Sequence, residues 1–303
     1  MKGGFRVLLA VIWLGPTPLY AQQVWTGTLS ESMCGASHRS MASAGGLMER
    51  QCIFACINAL AKYVLVDPNK QIIPIANQDV AGFPLYAGRP VKLTGVLKGD
   101  AIVVSKIEAI PAHLHLGHVM TNWRDTPSNV GFLIAAVSDA NVAAIHAKLA
   151  AKTPENLDEM KLHAGHVLNA LDPAIEPKGP GSGYGVKKAA TGALQHLQFA
   201  VQGEGATANI KTHATHVSAS LNDVLLWTDQ AIATARQIRS STVAADAARL
   251  VTELVALTTA IIDGTDANKD GQIGWQTGEG GLQQAQMHMG LMMKGEGLQN
   301  APR

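Results

Sequence analysis

Hydrophobic positions change their rhythm about one third of the way along the chain. Up to Pro111 they cluster in short β-branched runs, at 24–29, 63–66, 71–75, 91–97 and 101–107, each of which reads as a strand. Asp67-Pro68-Asn69, Gly88-Arg89-Pro90 and Lys98-Gly99-Asp100 supply the turns between them. Five short strands, the last two joined as a hairpin through Gly99-Asp100, predict a small closed or partly open barrel. The insertion between the first two strands carries a predicted helix over 48–62. Beyond Pro111, alanine-rich segments at 138–151, 157–171, 185–201, 207–238 and 242–262 have helical spacing. Pro154, Asp172-Pro173, the Gly/Pro-rich stretch 176–185 and Gly203–Gly205 break them into a helical bundle. The expected fold class is α+β, with a β domain over 22–111 and a bundle over 112–303.

Composition adds three constraints. A chain of 303 residues has room for two domains, and its 47% hydrophobic content is enough for two ordinary cores. Its 24 Lys and Arg against 23 Asp and Glu leave a net charge of +1, so nucleic acid is not expected as a partner. Lys2 and Arg6 before an apolar run at 7–14, a break at Gly15-Pro16 and a small residue at Ala21 read as a cleaved signal peptide over 1–21. Residues 22–303 are therefore expected in a bacterial periplasm or outside the cell, with no integral membrane segment. There is no Gly-rich phosphate loop, no Gly-x-Ser-x-Gly elbow and no paired acid and base carboxylates, so an enzyme is not expected.

Ten of the 11 histidines lie beyond residue 110, and six of them repeat at an offset of fifty. His146 corresponds to His196, and the pair His163-Ala-Gly-His166 corresponds to His213-Ala-Thr-His216. Residues three apart share a helix face, so each pair points at one space. Duplicated antiparallel hairpins would bring His146 to one pair and His196 to the other. Metal ions are the expected partners, because neutral imidazole suits copper or zinc. The run His113-Leu-His115-Leu-Gly-His118 at the domain junction puts His113 and His115 on one face if extended, His115 and His118 if helical. Met287-His288-Met289 with Met292-Met293 is a soft donor set that reads as core filler, outside the repeat-based sites. No Cys-x-x-Cys-His is present, which excludes covalent c-type haem. Haem held by two histidines, in an electron-transfer bundle, is one alternative, and an envelope interaction module with incidental histidines is another.

The segments His146-Ala-Lys-Leu-Ala, Lys161-Leu-His-Ala-Gly-His and Lys211-Thr-His-Ala-Thr-His resemble those of the small metal-binding proteins, over about 138–222. That resemblance implies an exported helical bundle that binds copper and other divalent metals. The strand order of the β domain resembles the OB-like barrels of small exported bacterial proteins.

Two further motifs carry ligand chemistry. Asp266-Ala-Asn268-Lys-Asp270-Gly271-Gln272-Ile273 resembles an EF-hand calcium loop over 266–277. Asp266, Asn268 and Asp270 fall at loop positions 1, 3 and 5, Gly271 at the sharp turn, and Gln272 offers its carbonyl at position 7. Thr277 stands where the bidentate Glu belongs, which leaves Glu279 to reach in. Cys34 and His38 with Cys52 and Cys56 form a Cys3His set suited to zinc or Cu(I), or else supply one disulfide and a spare thiol.

Overall fold

A computed structural model describes residues 21–38 and 49–298. The expected signal segment lies, but for its last residue, outside the described residues. The class is α+β, as expected, with an antiparallel sheet of five strands followed by helices.

The strands are β1 (Gln23–Glu31), β2 (Tyr63–Val66), β3 (Ile72–Pro74), β4 (Pro90–Lys98) and β5 (Ala101–Ala109), each where the β-branched runs put it. They pair in the order β3-β2-β1-β4-β5. Alternation on β4 sends Val91 and Leu93 inward beside Leu29, Leu65 and Ile102 of the neighbouring strands, the period-two pattern of a sheet with one covered face. At Gly95 the β4–β5 register shifts, and a Cβ there would meet the Val103 carbonyl at 2.2 Å, so only glycine fits the bulge. Helix α1 (Glu49–Asn58) and the single turn α2 (Phe83–Tyr86) close the core with Ile53 and Phe83. The ladder does not close into a barrel. β3 is three residues long and ends at a proline, which cannot donate to a ladder, and the chain just beyond it meets β5 through one isolated parallel bridge, Ile75 to Ile102, and the Asn77 side chain, which donates to Val104 O and accepts from Val104 N.

The bundle contains α3 (Pro111–Met120), α4 (Phe132–Ala150), α5 (Leu157–Leu171), α6 (Val186–Gln202), α7 (Ala208–Ser240), α8 (Ala244–Asp263) and α9 (Leu282–Gly295). Asn156 and Thr207 cap α5 and α7 by accepting from Glu159 N and Ile210 N, both at 3.1 Å. Pro111 at the first turn starts α3 and settles the 113–118 run as helical. Alanines at 136, 143, 147, 189, 193 and 235 are all fully buried, so the helices pack backbone to backbone with little side chain between them. The pairs that matter below are α3 with α6, α4 with α5, and α7 with α9.

Among the described residues, one helix, Phe132–Ala150, is long and apolar enough to cross a membrane by length and composition. Half of that helix is buried inside the protein, against α5, α6 and α8, and it carries buried Asp139. The Asp139 carboxylate accepts from Ser182 N and Oγ at 2.7 Å and from Gly185 N at 2.8 Å, fixing the 181–185 connection that leads into α6. Asp139→Ala leaves the buried Gly185 N–H and the two Ser182 donors without this acceptor and should cost about 1–3 kcal/mol, read as a lowered midpoint in urea unfolding.

Candidate metal centres

Among the described residues, three groups of three histidines have their ring nitrogens within 4.8 Å of one another. The first joins His115 and His118 of α3 to His196 of α6, the second His163 and His166 of α5 to His146 of α4, and the third His213 and His216 of α7 to His288 of α9. All three have one design, a His-x-x-His pair facing a single histidine on a packed neighbour. They also share an atom pattern. The single residue's Nδ1 stands 3.1 Å from Nδ1 of His115 and of His118 in the first site. The corresponding distances are 3.0 and 3.2 Å in the second site and 3.3 Å twice in the third.

One neutral Nδ1 offers a single lone pair or a single proton, too little to satisfy two facing nitrogens at once. Three nitrogens each about 2.0–2.1 Å from one ion would stand about 3.0–3.4 Å apart for angles between about 95° and 110°, a range that contains every one of these separations. Burial pushes the His196 and His288 imidazoles down to about 4, and neighbouring imidazoles push the same way. His115, His118, His146, His166 and His216 are lowered as well, by burial first. These rings are neutral at pH 7, which leaves their lone pairs available.

The surroundings differ from site to site. The Trp123 ring lies 4.8 Å from both His118 and His196, and Phe132 lies 5.1 Å from His196. A cleft of about 410 Å³ lined by Trp123, Tyr184, Lys188 and Gln195 reaches His196, so the first site has an approach from outside. At the second site Glu159 Oε2 stands 3.6 Å from His163 Nε2, one helical turn away. At the third, Trp275 stacks on His216 with centroids 3.9 Å apart, and the buried His288 Nε2 has no protein partner.

The repeat is therefore half right as a guide to contacts. His146 meets His163 and His166 as expected, but His196 meets α3 and not His213 and His216, whose third member is His288. Two triplicate signals in the chain carry this information. His-x-x-His-Val occurs at 115–119, 163–167 and 213–217, and, outside those pairs, Ala-x-x-His occurs at 143–146, 193–196 and 285–288. Met289 and Met292 are core, as expected, whereas Met287 is exposed and His288, between Met287 and Met289, is a site residue. His113 belongs to no triad; its Nε2 lies 2.8 Å from Glu296, whose buried carboxylate also accepts from Thr207 and Asn209.

The sulfurs of Cys34, Cys52 and Cys56 also lie within 4.8 Å of one another, and none is in a disulfide. His38 does not complete that set. Its Nε2 stands 3.2 Å from Oε1 of fully buried Glu31, and these two form a separate group with Cys34. Burial, with Glu31 beside it, pushes the Cys34 thiol up to about 11.

In the 266–277 loop, Asp266 accepts from Asp270 N and Gly271 N, Asn268 from Asp270 N, and Asp270 from Gln272 N. Gly271 has φ +84°, the left-handed turn expected at that position. Glu279 does reach back, accepting from Gly274 N at 3.0 Å and Asn268 N at 3.4 Å. Asp266, Asp270 and Glu279 do not converge as a three-carboxylate group. The chain matches no protein-family model, no curated protein and no solved structure.

The lowered imidazoles set a pH dependence with a definite sign. Between about 6.5 and about 4 the unfolded chain binds protons at His196 and His288 that the folded chain does not. The contribution of these two histidines to the stability of the metal-free protein should fall as pH drops through that window and level off below it. Urea midpoints across the window should show this, and His196→Gln with His288→Gln should flatten the slope.

Proposed function

We propose that the chain is an exported metal-binding protein whose helical bundle holds three transition-metal ions, copper or zinc, one in each histidine triad. The observation that carries this reading is recurrence. One arrangement, a single histidine facing a His-x-x-His pair through Nδ1, is built on three different helix pairs. Three neutral nitrogens form the ligand class that suits copper and zinc, and they leave a coordination position for water or a further ligand. The same distances argue against haem, whose axial imidazoles stand on opposite faces of a macrocycle; nitrogens 3.0–3.3 Å apart leave no layer for it. Export rests on the charged, apolar and small-residue pattern of residues 1–21. The activity proposed is binding, without a catalytic step.

Metal-stripped protein titrated with Zn(II) or Cu(II), followed by calorimetry and elemental analysis, tests the assignment residue by residue. His163→Ala with His166→Ala should remove one equivalent. His196→Ala should remove the same equivalent as His115→Ala with His118→Ala, and His288→Ala the same one as His213→Ala with His216→Ala. His113→Ala should remove none. Equal losses from His113→Ala and from the triad variants would mean that uptake follows histidine content and not these sites.

A second reading, calcium at the 266–279 loop, is favoured by Glu279, which turns its carboxylate into the loop from two residues past the expected position. Asp266→Ala with Asp270→Ala should abolish Ca²⁺ binding measured by calorimetry. Absence of Ca²⁺ heat from the unmutated protein at about millimolar ion would end this reading.

A further inference from the structure

The three thiols of the β domain share no residue with the histidine triads and have different chemistry. Cys34 lies in the turn that follows β1, where Gly35 at φ +60° lets the chain reverse and its N–H returns to the Glu31 carbonyl at 2.9 Å. Cys52 and Cys56 are one turn apart on α1, so both sulfurs project from one face of that helix towards the β1 turn. Cys34 Sγ stands 3.9 Å from Cys56 Sγ. Cys52 is fully buried and Cys56 is 5% exposed, while Cys34 is half-buried at the mouth.

Sulfurs about 2.3 Å from one ion stand about 3.8–4.0 Å apart in tetrahedral or trigonal arrangements, which agrees with the Cys34–Cys56 separation and does not choose between them. The number of donors does choose. A structural zinc closes its shell with four ligands. Among the described residues the nearest candidate fourth ligands are Glu31 and His38; Glu31 touches Cys34 and Cys56, but neither residue groups with all three sulfurs at once. His38 is held instead in the Glu31 and Ser30 network, with Nε2 3.2 Å from Glu31 Oε1 and 3.5 Å from Ser30 Oγ. A set of three sulfurs, shut off from water at two of them, suits a soft monovalent ion that is satisfied by thiolates alone.

We infer that Cys34, Cys52 and Cys56 form a Cu(I) site in the β domain, separate in place and in ion preference from the three imidazole sites. Loading replaces up to three sulfur-bound protons by one Cu(I) and releases those protons to solvent; no sulfur and no metal changes oxidation state. The arrangement places Cu(I) on thiolates and the borderline divalent ions on imidazoles. This extends the metal-binding reading of the bundle but rests on none of its residues, so either can fail while the other stands.

The test is anaerobic titration of the reduced full chain with Cu(I) against a chromophoric Cu(I) chelator, followed by thiolate-to-Cu(I) charge-transfer absorption in the ultraviolet. One equivalent with that absorption should be withdrawn from the chelator, and excess Zn(II) should not displace it. Cys34→Ser, at the half-buried mouth where folding is least at risk, should weaken Cu(I) binding at least about tenfold, since it removes a direct ligand. His163→Ala with His166→Ala should leave this equivalent unchanged. The inference is overturned if the reduced protein takes no Cu(I) with charge-transfer absorption, if Cys34→Ser binds it as tightly as the parent, or if Zn(II) displaces it at equal concentration.

Discussion

The bundle depends on how each His-x-x-His helix is rotated about its own axis. In all three, the residue three before the first histidine, the residue after it and the residue after the second are buried. They are Ala112, Leu116 and Val119 in α3, Met160, Ala164 and Val167 in α5, and Ile210, Ala214 and Val217 in α7, each at 4% exposure or less. These positions form one stripe at helical spacing. With the stripe committed to the core, the two histidines can only lie along its border, facing the groove beside the packed neighbour. The buried apolar residues thereby aim the ligands, and the alanine-faced packing brings the facing helix close enough for a single short imidazole to reach them. No loop has to position any of the nine rings.

That constraint also explains what the sequence made legible and what it left hidden. All five strands and the long helices could be read locally, because period two and period 3.6 are local properties. The identity of the first ligand pair, His115 with His118, depended only on deciding whether 113–118 is helical, and Pro111 ahead of the run was a signal for that. Which single histidine faces which pair is tertiary. An offset of fifty between copies fits His196 turned towards α7 as well as it fits His196 turned towards α3. The choice is made by the buried stripe of Ala189, Ala193, Leu197 and Ala200 on α6, since α6 has neighbours on more than one side. His288 was hidden differently, as one polar residue inside a methionine segment whose Met289 and Met292 do pack as core.

The β domain and the bundle present their ligand groups in opposite electrostatic settings. An imidazole triad adds no charge, so a bound divalent ion brings its full charge into a half-buried groove with indole or phenyl rings nearby or, at the second site, the carboxylates of Glu159 and Glu176. The thiol cluster stands beside the fully buried Glu31, whose carboxylate is held below the usual range: backbone N–H groups of Met33 and Cys34, with His38, outweigh the upward push of burial. Donor softness therefore directs softer ions to sulfur and borderline divalent ions to nitrogen, while the Glu31 carboxylate favours a cation of either charge at the thiols. This division follows from the elements themselves. Only the turn after β1 and the face of α1 supply cysteine, and only the bundle supplies paired histidines.

Chain connectivity makes the three imidazole sites unequal as cross-links even though their ligands are alike. The second site joins helices adjacent in sequence, with a separation of only 17 positions from His146 to His163. The first joins α3 to α6 across 78 residues from His118 to His196, and the third joins α7 to α9 across 72 from His216 to His288. Loop-closure entropy grows by about 0.6 kcal/mol per doubling of loop length, so an ion at the first or third site removes roughly 1 kcal/mol more unfolded-state freedom than one at the second. That difference adds to whatever the metal–nitrogen bonds contribute. The first site also ties down α3, the shortest helix of the bundle and the one that follows β5, while the third ties down α9, the last described element. Equal ligand sets at unequal chain separations turn metal occupancy into tension on the two ends of the bundle, and leave its middle hairpin to the alanine packing that already holds it.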